Sequence, residues 1–239
     1  MIYKDILRDF SELKDDGEAA GLMHFFKTGK GQYGEGDKFF GVKVPKVRAL
    51  VKKYVKNVGF SDLEKLISSE YHEVRLFAIL ILVDWFERAK GCGGVAKKVI
   101  DFYLEHLQFI NNWDLVDVSV YKILGKWCVL NSDYSILYRL SDSNNLWCNR
   151  MSVVANWYIV RTGNFNILID VVTKFLSDKN DLMHKACGWI LREMGQVSED
   201  GLSILRQFLD ENADKMPRTM LRYAIEKMDK SERQKYMSL

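Results

Sequence analysis

Apolar residues recur at helical spacing along almost the whole chain. Ile2, Ile6, Leu7, Phe10 and Leu13 form one stripe, Val47, Leu50, Val51, Tyr54 and Val55 a second, and Leu202, Leu205, Phe208 and Leu209 a third. No segment alternates with the period of two expected of a half-buried strand. Pro45 falls where the first turn of a helix accepts proline, and Pro217 does the same for the last long helix. Ser61 and Glu64 have the spacing of a capping box, with Ser198 and Ser231 as further N-caps. This pattern predicts an all-α chain of roughly a dozen helices.

The pattern also repeats. HEVRLFAI around Arg75, WCNRMSVV around Arg150, MHKACGWI around Lys185 and MLRYAIEK around Arg222 each read as a helix with a basic residue in its opening turns. The spacings are 75, 35 and 37 residues, the first close to two of the others, so a further unit falls near NNWDLVDV at residue 112. A period of this length with two helices per unit is the signature of a HEAT-like solenoid, in which stacked pairs bury a continuous seam. The expected fold is therefore all-α, a right-handed superhelical solenoid of HEAT-like helix-pair repeats with a concave binding face. No proline- or serine-rich linker interrupts the chain, so one domain is expected over residues 1–239.

Composition sharpens this reading. Two prolines in 239 residues favour long helices, and 48% hydrophobic with 28% charged residues is ordinary for a globular protein. The apolar run at 76–83 is far short of the ~18 residues of a membrane span and is closed by Asp84 and Glu87. The amphipathic, acidic N-terminus is unlike a secretory signal. Cys92, Cys128, Cys148 and Cys187 are scattered, which suits reduced thiols in the cytoplasm. His24, His72, His106 and His184 have no metal-ligand spacing and read as structural. The glycine-rich stretch GKGQYGEGDKFFG at 29–41 lacks the spacing of a phosphate-cradling loop and reads as an interhelical connection, as does GCGG at 91–94.

A net charge of +3 decides little, but its distribution does more. Residues 43–57 carry Lys43, Lys46, Arg48, Lys52, Lys53 and Lys56 with no acidic residue, and residues 215–235 carry seven basic side chains, Arg222 among them, against three acidic ones. The first twenty residues are acidic instead. Basic segments towards both ends are either solvated helix faces or contacts for a phosphate backbone.

Trp113 and Asp117 are four residues apart and share a helix face. Arg150 and Trp189 follow at later repeats, so the periodicity places all four on inner helices. Two indoles and a carboxylate suit a delocalised cation, and an arginine suits a phosphate oxygen. A cationic N-alkylated purine in DNA combines both. Each tryptophan could equally be core, and Asp117 a solvated or capping carboxylate. Trp85, Trp127 and Trp157 sit in apolar helices and read as core. Arg192 and Glu193 either form an ion pair or help to orient a site.

NNWDLVD at 111–117, LWCNR at 146–150, HKACGWILRE at 184–193 and FFGVKVPKVRALVKKY at 39–54 resemble, in order, motifs of the HEAT-like-repeat DNA alkylation repair glycosylases (AlkD-like). The resemblance covers roughly residues 20–230. It implies hydrolysis of the N-glycosidic bond of cationic bases such as 3-methyladenine and 7-methylguanine in duplex DNA. Asp117 would be the catalytic aspartate, Trp113 and Trp189 the active-site tryptophans and Arg150 a backbone contact. Lys43, Lys46, Arg48 and Arg222 are expected to bind DNA as well. Asn149 stands where relatives often carry a basic residue. The reading implies no metal or cofactor, no membrane association, a monomer, and a cytoplasmic protein associated with the nucleoid when bound to DNA. The alternatives are a non-catalytic DNA-binding repeat protein for damaged or branched duplexes, and a protein–protein scaffold.

Overall fold

The computed structural model describes residues 2–239. Sixteen α-helices are present among the described residues, and the only extended pairing there is an isolated bridge between Lys38 and Tyr71. The all-α expectation holds. The helices outnumber the dozen read from the sequence because several apolar runs are divided by short turns. Packing divides the chain into two compact units, Met1–Ser119 and Val120–Leu239.

The first unit contains α1 (Ile2–Glu12), α2 (Asp16–Phe25), α3 (Val44–Tyr54), α4 (Phe60–Ile67), α5 (His72–Arg88), α6 (Gly93–Glu105) and most of α7 (Trp113–Val120). At its centre lies α5, which packs against α3, α4 and α6 and buries every residue from His72 to Val83. A helix apolar on all sides is stable only when covered on all sides. Burying each Leu, Ile or Phe contributes about 1.5–3 kcal/mol, so this stretch is the unit's main anchor.

Three of the helix starts differ from the sequence reading. Gly59, not Ser61, precedes α4, and the Asp62 carboxylate accepts the Gly59 N–H at 3.3 Å and the Tyr3 N–H at 3.1 Å. Ser61 therefore sits inside the first turn, and Asp62 takes the returning part of the box that was expected of Glu64. Ser198 does cap its helix, accepting the Gly201 N–H at 3.1 Å. At the last helix Asp229 caps through the Glu232 N–H at 2.9 Å, while Ser231 donates its hydroxyl to Asp229. A carboxylate is the stronger acceptor for an orphan N–H. Pro45 lies in the first turn of α3, as expected, whereas Pro217 stands one residue before a helix of only seven residues.

The second unit contains α8 (Lys126–Asn131), α9 (Ser135–Ser141), α10 (Leu146–Val154), α11 (Asn156–Ile159), α12 (Asn166–Thr173), α13 (Asp181–Val197), α14 (Glu199–Asn212), α15 (Arg218–Ala224) and α16 (Lys230–Met237). A π-helical turn over Tyr121–Gly125 precedes α8. Within this unit α9 packs on α10 and α12, α10 on α13, and α13 on α14 and α15, which is the ladder of helix pairs expected from the repeat. Arg150, Lys185 and Arg222 each occupy the fifth position of α10, α13 and α15. The ladder is tight because glycines let backbones meet. A Cβ on Gly188 would lie 2.4 Å from the Met220 carbonyl oxygen, and one on Gly125 2.3 Å from that of Ala155.

Trp85, Trp127 and Trp157 are only half-buried, contrary to the core reading. Indoles are large enough to span from core to surface, so each shows an edge. The Trp85 indole donates to the Val55 carbonyl at 3.2 Å, and Arg161 stacks over Trp157 at 3.4 Å.

Candidate functional site

Trp113 opens α7 and Asp117 follows one turn later, so both project from one face of that helix, and both are half-buried. Asn112 caps the helix end, its side-chain oxygen accepting the Trp113 N–H at 2.9 Å. The Trp113 indole stacks on Phe26 with ring centroids 5.5 Å apart, and Phe25, 60% exposed, meets its edge at 5.9 Å. Beneath Phe26 lie Phe39 and the His72 imidazole. These three rings form a triangle with centroid separations of 5.3, 4.8 and 4.9 Å. A buried histidine thus supports the ring on which Trp113 rests.

His72 is enclosed by charge. Its Nδ1 lies 3.1 Å from Asp37 of the glycine-rich connection, and its Nε2 2.8 Å from Asp114 in the first turn of α7. Arg75 donates to the other oxygen of Asp37 at 2.7 Å and to the Ser69 carbonyl at 2.9 Å. Burial opposes the imidazolium, yet the charge and hydrogen bond of Asp114 and the hydrogen bond of Asp37 lift His72 to about 9 against the repulsion of Arg75. Burial would likewise raise Asp37. The hydrogen bond from His72 and the charges of Arg75 and His72 hold it below the usual carboxylate range instead. Two cations and two carboxylates therefore meet at the junction of loop, α5 and α7.

Glu73 performs a parallel task beside them. Its buried carboxylate accepts the backbone N–H groups of Phe40 at 3.1 Å, Gly41 at 2.8 Å and Val42 at 3.1 Å. Gly41 has φ +83°, and a Cβ there would lie 2.0 Å from the Asp15 carbonyl oxygen. The 29–41 connection is a loop, as expected, but it is tied down and supplies Asp37 and Phe39 to the support of Trp113.

In the second unit, Arg150 is 5% exposed and donates to the Leu182 carbonyl at 2.6 Å, fastening α10 to the first turn of α13. Trp189 lies two turns further along α13 and is half-buried. Arg192 and Glu193 follow it on the same side. Glu193 receives Arg161 at 2.7 Å and Arg192 at 3.3 Å, and Arg192 also pairs with Glu226. The ion pair expected as one alternative for these two residues is present, as part of a ladder along this unit.

The basic segments are less uniformly free than their composition implies. Lys43 pairs with Glu18 at 2.9 Å, and Lys53 with Asp9, which also accepts the Tyr54 hydroxyl at 2.8 Å. The acidic N-terminal helices thus fold onto part of the basic one. Lys46, Arg48, Lys52 and Lys56 are exposed and have no ion pair among the described residues. Arg48 and Lys52, four residues apart, share one face of α3, and Lys56 follows in the turn after that helix. Arg222 is exposed and likewise without an ion pair among the described residues.

Residues 6–228 match the family described as DNA alkylation repair enzyme. The chain belongs to that family. A solved structure described as a predicted DNA alkylation repair enzyme from Enterococcus faecalis is similar in fold, with a TM-score of 0.71 and 19% identity over 91% of this chain and 97% of that one. No curated protein matches the sequence significantly. For a DNA alkylation repair family member the implied partner is DNA, and no helix among the described residues is long and apolar enough to cross a membrane.

Sequence reasoning about this family member named His72 as structural and Arg75 as part of a repeat but missed Asp37, Glu73 and Asp114 and the cluster they help to build. One signal was available. HEVR immediately precedes the apolar run 76–83, so a helix buried all round would have to bury those polar residues too, and buried charges need partners. Which partners they find depends on a loop 35 residues away.

Proposed function

We propose that this chain is a DNA glycosylase that releases cationic N-alkylated purines, such as 3-methyladenine and 7-methylguanine, from duplex DNA. The observation that carries the reading is the pairing of Trp113 and Asp117, one turn apart on a helix face whose tryptophan is fixed from below, in a chain of the DNA alkylation repair family. Alkylation gives the base a positive charge, so it leaves as a neutral species without being protonated. As the C1′–N bond breaks, positive charge moves to the deoxyribose. Asp117 stabilises that oxocarbenium-like sugar and takes a proton from the water that adds its oxygen to C1′, leaving free base and an abasic site.

Trp113 and Trp189 give faces to the sugar and the cation, worth ~0.5–2 kcal/mol each when partly desolvated. Lys46, Arg48 and Arg222 contact phosphates. Lys43 joins them by exchanging Glu18 for a phosphate, because an exposed ion pair is worth only ~0–1 kcal/mol. Arg150 is already engaged with the Leu182 carbonyl. Its phosphate contact is proposed as an addition to that bond, and the larger share of backbone binding falls to the exposed residues. The protein acts as a monomer in the cytoplasm, on the nucleoid.

The test is release of both methylated bases from methylated duplex by the wild type and by Asp117→Asn. Release is expected from the wild type, with a loss of ~100-fold or more in the variant and undamaged-duplex binding kept. Wild-type protein that binds duplex without releasing base would replace this reading with a non-catalytic DNA-binding protein. Absence of DNA binding would favour a protein–protein scaffold.

A further inference from the structure

We infer that His72, as an imidazolium, is a positioning residue for the excision proposed above, because it joins Asp37 of the 29–41 loop to Asp114 of α7 beneath the ring that carries Trp113. The inference rests on the glycosylase reading for its chemistry and on the geometry of the first unit for its mechanism. Asp114 is the residue after Trp113. The bond from His72 Nε2 to Asp114 at 2.8 Å therefore fixes the helix end from which Trp113 and Asp117 project. The same imidazole, through Phe26 at 4.8 Å, supports the face on which the indole stacks at 5.5 Å. One side chain thus holds both the backbone and the ring of Trp113.

The charge on His72 matters to this arrangement. A neutral imidazole has one N–H and can donate to only one of the two carboxylates. Losing the proton leaves one of Asp37 and Asp114 facing a lone pair, with Arg75 as the remaining nearby cation. The groups facing His72 are Asp37 from the loop, Arg75 on its own helix, and Asp114 from α7, with Asn112 at 3.5 Å from Asp37. Deprotonation at about 9 leaves a single N–H to divide between Asp37 and Asp114 and removes the charge that attracts both, which weakens the hold on Asp114 and lets the start of α7 shift. A small displacement of a positioned group can cost ~100-fold in rate.

The experiment uses the full chain labelled with 5-fluorotryptophan, the Trp113 resonance being assigned by its loss in Trp113→Phe. Its chemical shift is followed from pH 6 to pH 10 in wild type and His72→Gln, beside single-turnover release of 7-methylguanine corrected for spontaneous loss. In the wild type the Trp113 resonance should titrate with a midpoint of about 9, and release should fall over the same range. His72→Gln keeps a hydrogen-bonding side chain without the charge. It should abolish the titration and lower release at pH 7 by ~10- to 100-fold, with binding to undamaged duplex unchanged. If His72→Gln does not fold, Asp114→Asn serves instead, and should move the midpoint downward by removing the stronger partner.

A Trp113 resonance indifferent to pH and to the substitution would overturn the inference. So would a resonance that moves while release at pH 7 stays at the wild-type rate. A wild-type protein that releases no base overturns the glycosylase reading and with it the catalytic half of this one, and a titrating Trp113 resonance in that case still assigns His72 the support of the indole.

Discussion

The two units hold their candidate tryptophans, Trp113 and Trp189, by different means. In the first, Trp113 rests on a triangle of rings above a buried cluster of two cations and two carboxylates, which join a loop, α5 and α7. In the second, α13, which carries Trp189, is fixed by closeness of backbones. Gly188, its immediate neighbour, faces the Met220 carbonyl of α15 with no room for a Cβ, and the Arg150 guanidinium ties the helix start to α10. One arrangement depends on protonation, the other on volume. The helix carrying each tryptophan is thus held by electrostatics in one unit and by sterics in the other.

The contrast can be broken from either side. Asp37→Ala should give the largest effect, because it leaves His72 and Arg75 buried with too little negative charge. Removing one partner of a buried ion pair costs ~3–5 kcal/mol, and urea denaturation should show a loss of that size. Gly188→Ala comes next at ~1–3 kcal/mol, from overpacking against the Met220 carbonyl at 2.4 Å and the Tyr223 Cβ at 2.5 Å. It should be insensitive to pH. An Asp37→Ala protein as stable as wild type would remove the electrostatic half of the comparison.

The pH dependence sharpens it further. His72 titrates at about 9 in the folded unit against 6.5 when unperturbed, so its contribution is complete below about pH 6.5 and is lost as pH rises through about 9. The shift corresponds to roughly 3 kcal/mol. Asp37, held below the carboxylate range, has the opposite sense: its contribution is present above its unfolded value and lost as pH falls through the lower folded one. Thermal melts from pH 6 to pH 10 should show a decline in wild type that His72→Gln lacks. A curve flat across that range in the wild type would contradict the charged cluster.

The smallest effects concern the surface. Arg161 lies over Trp157 at 3.4 Å and pairs with Glu193 at 2.7 Å, and Arg161→Ala should cost ~1 kcal/mol, read by denaturation. Arg48→Ala and Lys52→Ala should leave stability unaltered and each lower the salt slope of duplex binding by about 1. An unchanged slope would take the α3 stripe out of the DNA contact.

Much of this protein was legible in the sequence because helical periodicity is local. The all-α class, the phase of Arg150, Lys185 and Arg222, the Ser198 cap and the face shared by Trp113 and Asp117 all follow from spacings of three, four or about 37 residues. Other features required partners that spacing does not reveal. Lys43 and Lys53, at the two ends of the basic helix, meet Glu18 and Asp9, three tryptophans expected in the core reach the surface, Gly59 stands where Ser61 was expected to cap, and Ser231 yields its cap to Asp229.

Local spacing was enough to give the helices, their repeat and the residues on which the proposed excision rests. Which charges are buried together depends on how distant segments pack. A carboxylate such as Asp37 acquires its meaning from His72 and Arg75, 35 and 38 residues further along, and folding brings them within hydrogen-bonding distance where burial makes their charges interdependent.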